Sequence, residues 1–288
     1  MPFVPSRESA DVFVPDGAPL DAALTRTTHL AVGAHQDDLE LMAAHGVIEC
    51  FHHDQRWFTG VVMTDGAGSA RVGEYASYSD EQIKGVRRLE QRKAAYVGEY
   101  SAVIQLGHAS QAVKATAGAD ELAVRSDLDQ IIRAARPEVV YTHNLADKHD
   151  THVAVALRVV AACRALPAEM RPRRVIGGEV WRDLDWLCDA DKIVMPVDRH
   201  ENLHAALMGV FDSQIAGGKR YDLATAGRRR AHATYFEPGD ADRHDALTWG
   251  MDLTPLLTGG EPAQLVADYI ARFEREVTAR LSRLAPRR

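Results

Sequence analysis

Short apolar, β-branched runs that alternate with longer helical stretches constrain this chain most. THLAVGA (28–34), WFTGVVMT (57–64), AVIQL (102–106) and EVVYT (138–142) each read as a buried strand. Between and after them, residues 38–53, 80–99, 119–136 and 151–165 carry helical periodicity. In the first of these, Leu39, Met42, Ala43, Val47 and Phe51 mark the apolar side. The third helix ends before Pro137, which disfavours its continuation. Strand–helix alternation at this spacing predicts an α/β fold: a doubly wound, mostly parallel sheet covered on both faces. RVIGGEVW (174–181) and DKIVMPV (191–197) add two predicted strands, and residues 200–214 and 263–284 two predicted helices. Residues 1–27 hold four prolines and read as an irregular N-terminal arm. Residues 28–288 then form one domain, a core over 28–165 with C-terminal additions over 166–288.

The composition narrows the function. Of 288 residues 46% are hydrophobic and 26% charged, which fits a globular protein and not a disordered chain or a disulfide scaffold. No apolar run approaches the roughly 18 residues of a membrane span, and the start, MPFVPSRESADVF, lacks a signal-peptide pattern. A net charge of −7 leaves no basic footprint for nucleic acid. Cys50, Cys163 and Cys188 are odd in number and far apart, so they read as reduced thiols in a cytoplasmic protein. No heptad seam is read, and a homo-oligomer stays open.

Chemistry gathers in two segments. AHQDDLE (34–40) places His35, Asp37 and Asp38 directly after the first strand, where open α/β sheets bind ligands. His35 and Asp38 are a donor pair suited to zinc, and Asp37 beside them can take a proton from activated water. Asp38 also opens a helix and can be read as its cap. HNLADKHDTH (143–152) follows the fourth strand with three histidines and two aspartates. His149 and His152 are three apart and can face one side of a helical turn, while Asp150 or Thr151 can cap it. If the ends of the first and fourth strands flank one crevice, the two segments meet there. A His, Asp, His set with an open position is the expected form of a catalytic zinc centre.

These residues resemble a known family. AHQDDLE is similar to the AHPDDE or AHPDDxE motif of PIG-L/LmbE-type deacetylases, and HDTH (149–152) to their His-Pro-Asp-His motif. VVMTDGAGS (61–69) and RRLEQRKAA (87–95) extend the similarity over residues 28–165. The resemblance implies a Rossmann-like, LmbE-like fold and a zinc-dependent hydrolase, with zinc, iron or cobalt as the ion. Its substrate is a small-molecule N-acyl amine such as an N-acetylglucosamine-type sugar or glycoside. It also implies His35, Asp38 and His152 as metal ligands and Asp37 as general base. His149 becomes the group that stabilises the oxyanion or helps protonate the leaving amine. Gln36 and Asp150 stand where the family has Pro. Thr151 replaces the Asp that orients His149, and Asp147 occupies the place of a tyrosine that some members carry.

Other features read more plainly. DGAGSARVG (65–73) lacks the third glycine of a dinucleotide loop and reads as a flexible loop over the pocket, which argues against a nucleotide-dependent oxidoreductase or transferase. Arg71 is a candidate pocket contact, and Arg87 and Glu90 read as a solvated helix face. His143 and Asn144 are candidates to support the metal ligands. GRRRAH (227–232) reads as a solvated face, and His200, His204 and His232 are free to reach the site. Two other readings compete with the amino-sugar deacetylase: an amidohydrolase on a non-sugar metabolite, and a non-catalytic metal-binding protein of the same fold.

Overall fold

The computed structural model describes residues 3–286. Its strands are β1 (Asp11–Phe13), β2 (His29–Gly33), β3 (Phe58–Thr64), β4 (Ala102–His108), β5 (Val139–His143), β6 (Arg174–Gly178), β7 (Lys192–Pro196) and β8 (Leu247–Asp252). The helices are α1 (Leu20–Thr25), α2 (Asp38–Met42), α3 (Ala44–Cys50), α4 (Asp80–Val97), α5 (Ser110–Lys114) and α6 (Gly118–Ala135). They continue with α7 (Asp150–Arg164), α8 (Glu201–Gly209), α9 (Asp212–Ile215), α10 (Tyr221–Thr234) and α11 (Pro262–Leu284).

The strands form one eight-stranded sheet in the order β1-β4-β3-β2-β5-β6-β8-β7. β4, β3, β2, β5 and β6 run parallel. β1 joins β4 antiparallel at one edge, and β8 and β7 close the other edge antiparallel. The expected α/β, mostly parallel, doubly wound sheet is the observed one. Side chains alternate across each strand. In β2, Leu30 and Val32 therefore face Leu24 of α1, Leu128 and Ile132 of α6 and Val155 and Val159 of α7. Ala31, between them, faces Leu39 and Met42 of α2, Val47 of α3, Ala94 of α4 and Leu203 of α8. The N-terminal segment belongs to the body: β1 pairs with the sheet, and Ala23 and Leu24 are fully buried.

Several elements differ from the sequence reading. The helix expected over 38–53 is two, broken at Ala43. Arg229 of α10 donates to the carbonyls of Glu40 and Leu41 at 2.9 and 3.1 Å, the acceptors that residues 44 and 45 would use in a continuous helix. The expected 200–214 helix splits into α8 and α9. β6 stops at Gly178, because Glu179 turns inward to a buried site. α10 and β8 carry too little apolar periodicity to be read from sequence. GRRRAH lies within α10, where Arg229 and His232 are buried rather than solvated. Glu179 explains His232: its carboxylate receives His232 Nε2 at 3.0 Å and the Trp249 N–H at 3.1 Å.

Gly178 lets α2 settle onto the end of β6, since a Cβ there would lie 2.5 Å from the Met42 carbonyl oxygen. Gly178→Ala forces backbone apart, and urea denaturation is expected to show a loss of roughly 1–3 kcal/mol. Two buried histidines set an acid limit. Burial lowers His29 from 6.5 to about 4 and His204 to about 3, with neighbouring positive groups adding to each. Both are neutral in the fold and take protons when unfolded, so their contribution is complete above pH 6.5 and lost as pH falls below it. Below that value the unfolding free energy is expected to fall by about 1.4 kcal/mol per pH unit per histidine. In His204→Gln the slope should be visibly shallower.

Candidate active site

β2 and β5 are adjacent parallel strands whose following helices leave on opposite faces of the sheet. Their carboxyl ends therefore border the crevice that such sheets open at a switch point. The loop after β2 carries His35 and Asp37, with Asp38 opening α2, and the loop after β5 ends in His149, with His152 in the first turn of α7. His152 Nε2 lies 3.2 Å from His35 Nδ1. Asp38 Oδ2 lies 3.2 Å from His35 Nδ1 and 3.5 Å from His152 Nε2. Four donors around a zinc-sized ion at bonds of about 2.0–2.1 Å stand about 3.3 Å apart. The triangle therefore has the dimensions of one tetrahedral face. Two imidazole nitrogens and a carboxylate oxygen that face one another so closely have the donor chemistry to hold a divalent transition metal, and the overlapping sets His35, His149, His152 and Asp38, His143, His152 lie within the same reach.

Asp38 is almost fully buried and also receives the His35 N–H at 2.7 Å. Burial alone would raise its carboxyl. The imidazoles of His152 and His143, with the hydrogen bonds from His35, hold it well below the ordinary carboxylate range instead. The capping reading is not realised, because the residue preceding α2 is Asp37 and its side chain makes no cap bond.

Asp37 is left-handed, with φ 80°, a conformation that Asp tolerates better than most residues. Gln91 and Arg87 hold it there. Its N–H donates to Gln91 Oε1 at 3.1 Å, and its Oδ2 receives Arg87 Nη1 at 3.2 Å. Arg87 Nη2 also donates to the Gln36 carbonyl at 2.6 Å. Burial raises the Asp37 carboxyl to about 7; Arg87 opposes the rise and Asp38 adds to it. Glu40, the last residue of the AHQDDLE motif, is buried one turn further on. Its Oε1 accepts from Tyr100 Oη at 2.7 Å and from Gln91 Nε2 at 2.8 Å, which orients the Gln91 amide toward Asp37. Burial lifts Glu40 to about 8, against the pull of those hydrogen bonds. Arg87 and Glu90 are thus buried and not on a solvated face; Glu90 accepts from the Ser213 N–H and Oγ, both at 2.7 Å.

His149 is the residue preceding α7, and its Nδ1 accepts the Thr151 N–H at 3.3 Å. That bond leaves the proton on Nε2. Burial lowers its pKa, and His152 and His35 lower it further. Thr151 does not orient the ring through its side chain, because its hydroxyl bonds Ser110 Oγ at 2.6 Å. Asp147, in the place where some relatives carry tyrosine, accepts the backbone N–H groups of His149 and Trp181 at 2.9 and 3.0 Å. Its Oδ1 stands 3.5 Å from His152 Nδ1. A carboxylate behind a ligating histidine fixes which nitrogen carries the proton. His143 stacks on His152 with centroids 3.8 Å apart, and its Nε2 accepts the Ala34 N–H at 2.9 Å while standing 3.4 Å from Asp38 Oδ2. Asn144 holds its own loop, bonding the Gly178 carbonyl at 2.9 Å.

These groups open into a cleft of about 330 Å³ lined by His35, Asp37, Asp38, Arg87 and His149. The 65–70 loop roofs it, as the sequence suggested. Arg71 instead ties the loop to itself through the carbonyls of Ala67 and Tyr78. Trp181, Gln214, Lys219 and Tyr221 complete the far wall. The sequence reading missed all four, since only the tertiary fold brings them near AHQDDLE. Lys219 Nζ sits 4.8 Å over the Trp181 ring, and Tyr221 meets the same ring edge-on. A side chamber of about 160 Å³ shares Leu41, Val180, Trp181 and Tyr221 with the cleft. His200, His204 and His232 do not reach it; His204 is bound to Arg229 and His232 to Glu179.

Residues 30–163 match the family model described as PIG-L: GlcNAc-PI de-N-acetylase. No curated protein sequence matches the chain. Among solved structures, the conserved protein TT1542 from Thermus thermophilus is 19% identical with a TM-score of 0.58, covering 78% of this chain and 94% of that one. GalB, the 4-carboxy-2-hydroxymuconate hydratase from Pseudomonas putida, is 17% identical with a TM-score of 0.56, covering 79% and 95%. The N,N'-diacetylchitobiose deacetylase from Pyrococcus horikoshii is 15% identical with a TM-score of 0.57, covering 78% and 83%. The shared fold is therefore LmbE-like. It hosts hydration as well as deacetylation, so the side chains must decide the reaction. Among the described residues, no helix is long and apolar enough to cross a membrane. The donor triangle predicts that the purified wild-type protein binds close to one equivalent of zinc or a similar ion. His35→Ala and His152→Ala should lose it, and Arg71→Ala should keep it, as read by inductively coupled plasma mass spectrometry.

Proposed function

With residues 30–163 as a PIG-L-type segment, we propose that this protein is a metal-dependent N-deacetylase that cleaves the amide of an N-acetylglucosamine-type sugar or glycoside. One observation carries the reading. His35, Asp38 and His152 close a 3.2–3.5 Å donor triangle, and the Asp37 carboxylate opens into the same cleft.

His35, Asp38 and His152 would hold the ion. When bound, it would supply Lewis-acid polarisation of the amide carbonyl and activation of water. The chain's own residues do the rest. Asp37 takes a proton as water oxygen attacks the carbonyl carbon. Its carboxyl near 7 suits a base that must both accept and release that proton around neutrality. Arg87 keeps the carboxylate aimed into the cleft. His149, neutral with its proton on Nε2, donates a hydrogen bond to the tetrahedral oxyanion. Asp37 then delivers its proton to the nitrogen as the C–N bond breaks, giving acetate and a free amine. This division of labour makes His149 the oxyanion donor, not the acid. Tyr221 and Trp181 provide an apolar wall for a pyranose face, and Asp65, Ser69 and Gln214 offer partners for its hydroxyls. The side chamber gives room for a second ring or an aglycone.

The test is amine release, read by fluorescamine, from the zinc-loaded protein and a panel of N-acetylglucosaminides. Asp37→Asn is expected to retain its metal and lose activity by a factor of about 10³ or more. His149→Gln should fall by about 10²–10³, mostly in kcat. An Asp37→Asn protein that turns over near the wild-type rate removes Asp37 as the base. A wild-type protein that hydrates unsaturated carboxylates and releases no amine removes the deacetylase reading.

A further inference from the structure

α11 is a 23-residue helix, about 34 Å long, and it is seated on the body only along its first half. Leu265, Val266 and Tyr269 pack against the core, and Arg272 bonds Asp191 at 2.8 Å. The apolar stripe does not stop there. Val266, Ile270, Phe273, Val277, Leu281 and Leu284 recur at intervals of four and three residues, the spacing that lays side chains along one seam. Ile270, Phe273, Leu281 and Leu284 are 52, 39, 64 and 70% exposed. A seam absent from the sequence reading thus becomes plain once the helix's docked face is known: the stripe that seats the helix continues past the body with nothing over it among the described residues.

We propose that a second copy of this chain covers this seam, with the two α11 helices packed antiparallel about a two-fold axis near Val277. The charges choose both the partner and its direction. The half of α11 before Val277 carries Asp268, Glu274 and Glu276 against Arg275 alone, because its Arg272 is spent on Asp191. The half after it carries Arg280, which bridges Glu276 of its own helix at 2.7 Å, and Arg283, with no acid before the helix ends. A parallel pair would set Arg280 and Arg283 beside their own copies. The antiparallel pair sets them beside the acidic half of the partner, and it also places the two bodies at opposite ends, clear of one another. A two-fold contact of this kind is self-complementary by construction. About 15 residues of helix per copy buries on the order of 1,000 Å² in total, the lower bound for a specific interface. The inference is independent of the reaction the cleft performs.

Sedimentation velocity on the full chain between about 1 and 100 μM tests it. The wild type is expected to be a dimer that dissociates reversibly in the micromolar range. Leu281 and Leu284 touch no core cluster, so the double variant Leu281→Glu/Leu284→Glu should keep the wild-type circular dichroism and thermal midpoint. Its dissociation constant should rise about 100-fold or more. For direction, Thr278→Cys near the centre should cross-link across the axis under mild oxidation, and Ser282→Cys, four residues on, should not. A wild type that stays monomeric at 100 μM overturns the proposal. So does a dimer that the double variant leaves intact, a cross-link through Ser282→Cys alone, or a monomer whose α11 binds anionic lipid vesicles.

Discussion

A carboxylate buried among neutral groups costs several kcal/mol unless positive charge or donors accompany it, and Asp38 is where this molecule concentrates that demand. It sits at the end of β2 with the His35 N–H on one oxygen and the His35, His143 and His152 rings around it. The parallel pairing of β2 with β5 brings the second group of imidazoles within reach, and α7 fixes their angle. The strand order, the switch point and the two loops can therefore be understood as the means of surrounding one oxygen atom with nitrogen donors.

Beside it, Asp37 is pushed the opposite way. Two neighbouring carboxyls, one held low by imidazoles and one lifted by burial, are chemically distinct although their side chains are identical, as the proposed ligand and base roles require. The lifted one is held by Arg87, which donates to its carboxylate, and by Gln91, which accepts its N–H and is itself oriented by Glu40, the acceptor from both Gln91 and Tyr100. This gives AHQDDLE a physical reading beyond its histidine and two aspartates: its final glutamate, protonated around neutrality, is a framework group that keeps Asp37 in a left-handed turn.

The parallel core was legible because strands buried on both faces leave continuous apolar runs, as in LAV of β2 and VVM of β3. The triangle was legible because its members lie in two dense segments, each directly after a strand. What escaped the sequence is what depends on long-range packing. α10 has no clean apolar stripe because its inward positions are Arg229 and His232, each satisfied by groups far away in the chain. The break at Ala43 has the same origin, since a guanidinium from α10 takes carbonyls that a helix would otherwise use. Arg87 looked solvated because a charged helix face reads alike whether it meets water or a buried carboxylate. Trp181 and Tyr221 belong to segments with no motif, and only the folded cleft gives them a neighbour.

Arg229 carries one more implication. It reaches α2 from near the end of the chain and grips the carbonyls of Glu40 and Leu41, immediately behind the paired aspartates. During synthesis on a ribosome, the motif emerges almost two hundred residues before the arginine that finishes its helix. Until then the carbonyls of Glu40 and Leu41 lack the donor that meets them in the folded protein. The turn that bears the paired aspartates is thus finished only when the last quarter of the polypeptide lies back across it.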